Sequence, residues 1–414
     1  MILGDLHFHS KYSRATSPRN EIEILSKWAK YKGIHLLGTT DFTHPKWFSE
    51  LKQKLNPWEK DNKGAIYDYN GIKYVLTSEL STIYKQDNKT RKVHNVIIAP
   101  DLEVVEQIND ALGKRFNISY DGRPILGLPS PELVEIVTYF SKNVEVIPAH
   151  IWTPWFGVFG SKSGFDSLEE AYQEQVHKIH ALETGLSSDL EMNWRLSALD
   201  KYTFISCSDA HSPENLGREL TVFEGELEKF GYEKMLSGII NKKVGTVEFY
   251  PQEGKYHWDG HRNCNVSLSP SESKKMKNIC PVCKKPLTLG VEHRVEELAD
   301  RPEGFVPKDA QKTEHLIPLK EIIAKVLNSP ATSKKVAEEY MRIVRNYETE
   351  WGALHTKDIS KMPPLIGAAV LKVRKGDVSV KPGYDGVYGV VKVDVENVLK
   401  EEKIKHPQKT LTEF

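Results

Sequence analysis

What most constrains this chain is a recurring pairing: short apolar runs, each carrying histidine or a carboxylate at or near its end. His7 and His9 close the run 2–9. Asp41 and His44 follow the run 34–40, Glu79 belongs to 74–84, His94 to 93–99 and His150 to 144–151. Asp209 and His211 follow the run 203–208. In a strand, residues two apart point the same way, so His7 and His9 can reach one ion, as can Asp209 and His211. A lone His-x-His is most often a pair of satisfied polar residues; here the recurrence carries the weight. Helical stretches separate the runs, and repeated strand–helix units imply a parallel sheet or a barrel whose strand ends converge on one face.

Imidazole and carboxylate ligands suit Zn²⁺ or Mn²⁺. Glu79 or Asp209 could bridge two ions, since a carboxylate has two oxygens. Ions about 3.5–4 Å apart activate water and neutralise charge on a phosphoryl group, which points to phosphoester hydrolysis. Around these runs, Ser17-Pro18 reads as an N-cap followed by a first-turn proline, and Gly33 as the helix stop. Ser130-Pro131 opens a helix with Leu133, Val134 and Val137 on its apolar face. Two further helices flank residues 328–333, and 367–395 returns to β-type residues with a glycine-rich turn.

Lys plus Arg and Asp plus Glu each number 57, so the net charge is zero, which excludes gripping a polyanion by bulk charge alone. Four cysteines are too few for a disulfide scaffold in 414 residues. No apolar stretch approaches the roughly 18–20 residues needed to cross a bilayer. The expectation is a cytoplasmic protein with reduced thiols and no membrane partner. Cys280-Pro281-Val282-Cys283 is a tight CxxC turn, with Cys264 upstream and His261 three residues before it. These four could hold one structural Zn²⁺, with His293 and His257 as rivals to His261. A redox CxxC would need a helix opening at the motif, and Lys284-Lys285-Pro286 follows instead. Arg262, Lys284 and Lys285 on such a platform, and Lys375 further on, could contact phosphates or simply form a solvated surface. Tyr384 and Tyr388, in the turn 382–389, and the loop 152–160 are candidates for contacting a base. Cys207 reads as a small buried residue.

Asp5-Leu6-His7-Phe8-His9-Ser10 and Ser208-Asp209-Ala210-His211 resemble the first and last motifs of the PHP (polymerase and histidinol phosphatase) superfamily. That resemblance implies a distorted (β/α)7 barrel in an α/β chain, with two or three divalent metals, zinc first and manganese or magnesium as alternatives. By motif, His7, His9, Glu79 and Asp209 would hold one ion; Glu79, His94 and His150 a second; His211 and the Asp41 region a third. Asp41-Phe42 stands where that family has an Asp-His pair, so either His44 substitutes or the site is binuclear. Asp209, Glu79 and His9 would be catalytic, and Glu183 would sit behind the ligands.

Over its whole length the chain is similar to the endonuclease Q family, most specifically at 40–45, 148–152 and 280–299. The implied layout is a PHP barrel over 1–250, a zinc-binding domain over 251–305, a helical segment over 306–352, a small C-terminal α+β part over 353–400 that contacts DNA, and a tail over 401–414. The implied reaction is cleavage of damaged double- or single-stranded DNA 5′ of hypoxanthine or uracil, with xanthine and abasic sites as further lesions. It would leave 3′-hydroxyl and 5′-phosphate ends, in a nucleoid-associated prokaryotic enzyme. The alternative is a small-molecule phosphatase of histidinol-phosphatase type, which has no use for the zinc knuckle. Gln408, Leu411 and Phe414 resemble the short tail by which repair enzymes bind a sliding clamp.

Overall fold

Most of the apolar runs become strands, and their order around the molecule follows the chain. The computed structural model describes residues 1–61 and 64–394. We number β1 Ile2–Asp5, β2 Leu36–Gly38, β3 Ile72–Gln86, β4 Lys89–Ala99, β5 Glu145–Pro148, β6 Ala181–Glu183, β7 Thr203–Ile205, β8 Leu220–Phe223, β9 Val244–Glu248 and β10 Thr313–His315. β1 pairs with β2 and β2 with β3, both parallel. β3 and β4 form an antiparallel hairpin because Asp87 and Asn88 both take positive φ (51° and 58°), the backbone of a tight two-residue turn. β4 then pairs antiparallel with β5, and β6 parallel with β7. The Ile151 amide donates to the Glu183 carbonyl (3.1 Å), linking the chain after β5 to β6. The Asp209 amide donates to the His7 carbonyl (2.9 Å), returning the chain after β7 to β1. β8 and β9 extend antiparallel from the far edge of β1, and β10 adds parallel to β9.

Strand alternation divides the core. Leu36, Val75, Val96, Ile147, Ala181, Ile205 and Cys207 belong to one buried cluster, against which helix Tyr232–Ile240 packs. Their neighbours Leu37, Tyr74, Ile97, Val146, Leu182 and Phe204 belong to a second, shared with helices Ile22–Lys32, Leu102–Gly113 and Ser130–Tyr139. Each fully buried Leu, Ile or Val contributes roughly 1.5–3 kcal/mol. Both strand faces are therefore covered, and the strand tips are left as the place for polar side chains.

The first helix differs from the sequence reading. It runs Ile22–Lys32 with Glu21 as N-cap, whereas Ser17-Pro18 lies in a turn. The Ser17 amide is taken by the His211 carbonyl (2.8 Å) and the Asn20 amide by the Ser17 carbonyl (3.0 Å), so this segment is folded onto the loop after β7. Gly33 ends the helix as expected, at φ 85°. Among the described residues, four helices follow β10: Leu319–Val326, Lys334–Tyr347, Glu350–His355 and Pro364–Arg374. The last corrects the β reading of 367–395 over 367–374. Pro364 stands in its first turn, and Ile366, Ala369, Val370 and Val373 are buried at helical spacing, so packing overrides the β-branched composition. Glu350 anchors this group: it pairs with Lys32 (2.7 Å) and accepts from the Leu319 amide and the Tyr340 hydroxyl, all buried. The strands Ser379–Lys381 and Val390–Lys392 form a hairpin. No helix among the described residues is long and apolar enough to cross a membrane. Gln408, Leu411 and Phe414 lie outside the described residues.

Candidate metal centre

Just past the ends of β1, β5 and β7, and midway along β3 and β4, most of the expected ligands meet. His7, His9 and Glu79 form one group whose ligand atoms lie within 4.8 Å of one another; His9, Asp209 and His211 form a second; Glu79, His94 and His150 a third. Glu79 is the hinge of the arrangement. Its Oε2 lies 3.4 Å from His7 Nε2 and 3.2 Å from His9 Nε2. Its Oε1 lies 2.5 Å from His94 Nδ1 and 3.1 Å from His150 Nε2. One carboxylate thus faces two imidazole pairs with a different oxygen. Asp209 Oδ1 joins from the other side, 3.1 Å from His9 Nε2.

Behind these atoms a ring of acceptors sets the orientation of each imidazole. Glu183 takes His7 Nδ1 (2.9 Å), Asp41 faces His9 Nδ1 (3.4 Å) and Thr153 Oγ1 faces His150 Nδ1 (2.8 Å). With Nδ1 engaged, Nε2 turns inward as the lone-pair nitrogen, the usual arrangement of a metal-binding histidine. His7 Nε2, His9 Nε2 and Asp209 Oδ1 are buried and have no hydrogen-bond partner. Three buried polar atoms from two overlapping ligand groups, each without a hydrogen bond, are costly unless something cationic meets them. The donor set therefore fits divalent ions.

The electrostatics agree. Burial opposes ionisation of Glu79, but the surrounding His94, Arg123 and His7 hold its carboxyl well below the usual range. Burial likewise opposes Asp209, and the adjacent His9 with the other nearby imidazoles draws it far down. Burial pushes His94 down to about 3, against the pull of Glu79. The backbone is strained at the same tips: Asp41, His150 and Asp209 take φ of 46°, 30° and 46°. Non-glycine residues in this region cost about 1–3 kcal/mol each and cluster at functional sites.

Two of the sequence candidates stand back from the converging atoms. Asp41 Oδ2 is occupied by the Ser10 amide (2.8 Å), Ser10 Oγ (2.6 Å) and Ser13 Oγ (2.8 Å), which places Asp41 behind His9. His44 lies in none of the groups; its ring stacks on Tyr12 at 4.4 Å. Glu183 is where the sequence reading put it, and it also accepts from the His150 amide (2.8 Å). Arg123 was missed. It lies in irregular chain between helix Leu102–Gly113 and the short strand Ile125–Leu126, where no periodicity marks it. Its Nη1 is 3.1 Å from Glu79 Oε2.

A second cluster lies apart. His261, Cys264, Cys280 and Cys283 bring their ligand atoms within 4.8 Å. The hairpin Asp259–His261 with Val266–Leu268 carries two of them, and the CxxC turn closes where the Cys280 amide donates to the Lys285 carbonyl (2.8 Å). Of the three candidate fourth ligands the structure brings up His261. His293 is instead bonded to Asp259 (2.6 Å), and His257 is buried 4.0 Å from Glu292. Only Val266, Cys280 and Leu287 form a core here, too few to hold the fold without a metal.

Arg262, Lys284, Lys285 and Lys375 are exposed, as a role toward phosphate needs. Tyr388 is 70% exposed, with Lys255 Nζ 5.7 Å from its ring centre. Tyr384 departs from the expectation. It is buried, pairs with Trp258 and bonds Asn265 through its hydroxyl (2.8 Å), so it packs the C-terminal hairpin onto the cysteine cluster and leaves no face for a base.

Comparison with known proteins extends this picture over the whole chain. Residues 318–377 match the family described as the MJ0043 C-terminal domain. The chain is 29% identical to the uncharacterised protein YqxK of Bacillus subtilis, over 94% of this chain and 99% of that one. The crystal structure of the lesion-specific endonuclease PfuEndoQ from Pyrococcus furiosus superposes with a TM-score of 0.83 at 30% identity, over 99% of this chain and 100% of that one. Endonuclease Q bound to a 27-mer duplex with an abasic lesion at its active site superposes with a TM-score of 0.81 at 30% identity, over 96% of this chain and 98% of that one. Fold, ligand cluster and full-length likeness together define an enzyme, a DNA endonuclease that hydrolyses phosphodiesters. The chain belongs to the endonuclease Q family.

Proposed function

We propose that this enzyme nicks DNA on the 5′ side of a deaminated base, hypoxanthine or uracil, and of xanthine and abasic sites, leaving 3′-hydroxyl and 5′-phosphate ends. The observation that carries the reading is Glu79 dividing its two oxygens between two imidazole pairs, beside the orphaned nitrogens of His7 and His9. The residues positioned to hold divalent ions are His7, His9, Glu79, His94, His150, Asp209 and His211, in overlapping groups that suit two or three ions, zinc first, with manganese or magnesium as alternatives. When bound, such ions act as Lewis acids toward a phosphodiester and activate the attacking water.

The chain's own residues do the rest. Glu183, Asp41 and Thr153 fix three imidazoles so that no rotation is needed on binding. Asp209, Glu79 and His9 form the catalytic set. Asp209 is the carboxylate nearest the mouth, its side chain 28% exposed, and its depressed pKa keeps it ionised while the substrate enters. His261, Cys264, Cys280 and Cys283 hold one structural zinc with no open position, and stiffen a platform whose Arg262, Lys284 and Lys285, with Lys375 and Tyr388, grip the duplex. In this reading the strands β1 to β7 form the distorted (β/α)7 barrel of 1–250, with the zinc-binding part at 251–305, helices over 306–352 and the C-terminal part over 353–400. Docking of Gln408, Leu411 and Phe414 on a sliding clamp belongs to the same proposal.

The test is a duplex carrying one deoxyinosine or deoxyuridine, incubated with Zn²⁺, Mn²⁺ or Mg²⁺ in turn. A single nick 5′ of the lesion, abolished in Asp209→Asn with lesion binding retained, is expected. An intact duplex alongside turnover of histidinol phosphate would overturn the proposal. Loss of clamp binding, without loss of nicking, on deletion of 408–414 tests the tail.

A further inference from the structure

Arg123 places a guanidinium against the carboxylate that joins the two halves of the centre, 3.1 Å from Glu79 Oε2. Glu79 is fully buried, but a quarter of the Arg123 side chain is exposed, so the guanidinium spans from the ligand cluster to the open side of the site. Asp209, the partly exposed ligand, also attracts it.

Its backbone is pinned from both sides. Asp121 Oδ1 accepts from the Arg123 amide (3.1 Å) and from the Arg14 amide (3.2 Å). The Gly122 amide donates to the Tyr12 carbonyl (3.1 Å), and a Cβ at Gly122 would fall 2.3 Å from Asp41 Oδ2 and 2.4 Å from Ser13 Oγ. Only glycine permits that approach. On the other side the Pro124 carbonyl accepts from the Ser81 amide (3.1 Å), two residues beyond Glu79 on β3. The segment is thus locked onto the two stretches of chain that carry His9 and Glu79.

The contact of Arg123 with Glu79, which also faces four imidazoles, occupies one guanidinium nitrogen and leaves the others free for a further acceptor. A guanidinium has five N–H donors in a planar fork, and only Nη1 is engaged with Glu79. The fork matches two oxygens of a phosphate. Building on the hydrolytic reading above, we propose that Arg123 is a catalytic residue that binds a non-bridging oxygen of the scissile phosphodiester. There it meets the charge that grows as the water oxygen bonds to phosphorus and the P–O3′ bond breaks, its electron pair and a proton going to the 3′ oxygen. An oriented cation at that position acts where charge develops, which is the most effective use of a fixed charge.

The experiment compares the full-length enzyme with Arg123→Gln and Arg123→Lys. Removing a donor of this kind costs about 10²-fold in single-turnover nicking of lesion DNA, with metal content per chain unchanged. Lesion-duplex affinity, measured with metals bound in the non-nicking Asp209→Asn background, should fall about tenfold on adding Arg123→Gln, and Arg123→Lys should lie between it and that background. Equal nicking by the parent and Arg123→Gln overturns the proposal. So does a loss of rate that tracks a loss of bound metal, because Arg123 would then act only on Glu79. If the parent leaves lesion DNA intact, the hydrolytic reading fails on that substrate and bis-(p-nitrophenyl) phosphate decides the role of Arg123 by the same comparison. A parent inactive on both substrates overturns both readings.

Discussion

Gly185 offers the sharpest test of how the centre is built, because it touches no ligand atom. It lies two residues beyond Glu183, at φ 62°, with its Cα turned toward the backbone of His150. A Cβ added there would stand 2.5 Å from His150 Cβ and 2.9 Å from His150 Cα. Ordinary carbon contacts begin near 3.4 Å, so Gly185→Ala must drive the two tips apart by about 1 Å. The left-handed φ adds roughly 1–2 kcal/mol for a residue with a Cβ, and overpacking adds about 1–3 kcal/mol more. A misplacement of about 1 Å at a reacting centre costs on the order of 10²-fold in rate. Gly185→Ala should therefore fold, melt several degrees lower and nick lesion DNA about a hundredfold more slowly, with less metal bound per chain. Gly127→Ala, where nothing lies within 4 Å of the added carbon, is the control and should be silent. Parental nicking and metal content in Gly185→Ala would falsify the claim that His150 is positioned by this backbone contact.

Three further outcomes are expected. Glu183→Gln keeps the shape but weakens the acceptor for His7 Nδ1 and the His150 amide; metal affinity read by chelator competition should fall about 10–100-fold, and an unchanged affinity refutes the role. Cys280→Ser should release one zinc per chain and make residues 255–290 sensitive to protease while the remaining metals stay bound; full zinc retention would remove Cys280 from the cluster. Burial alone would lower His315, but Asp189, 3.4 Å away, raises it from 6.5 to about 9. A raised folded-state value stabilises fully below about pH 6.5 and loses that contribution as pH climbs through about 9. The melting-temperature gap between the parent and His315→Gln should therefore shrink from pH 6.5 to 9.5, and a constant gap counts against the pair.

Much of the centre was legible because strands write their geometry at period two and histidine is chemically conspicuous. His7 with His9, and Asp209 with His211, could be paired before any coordinates were known. The fourth ligand of the cysteine cluster was not decidable, since His257, His261 and His293 are all close in sequence; the hairpin at 259–268 turns only His261 inward. Arg123 was invisible for the opposite reason: it stands in irregular chain, where no repeat announces direction, and its placement depends on Gly122 pressing against Asp41, a contact between segments about 80 residues apart. The helix Pro364–Arg374 was misread because its valines and isoleucine suggest strands, whereas Pro364 and the spacing of buried positions decide for helix. Tyr384 was read for the chemistry of its ring, but its surroundings use the ring as packing.

The left-handed backbone at Asp41, His150 and Asp209 has a consequence for how this molecule ages and mutates. At these three tips the chain carries side chains whose identity the chemistry dictates, in a conformation that would suit glycine better. Local bonds, such as those from Thr153 to His150, hold them in part; the rest of the constraint comes from the packed strands behind and from hydrogen bonds arriving from distant segments, such as Glu183 to the His150 amide. Any loosening of that frame, by heat, by a remote core substitution or by loss of a neighbouring contact, lets the tips relax first. The centre is therefore the most fragile gauge of the whole fold: catalysis should fade while the rest of the protein still reads as native.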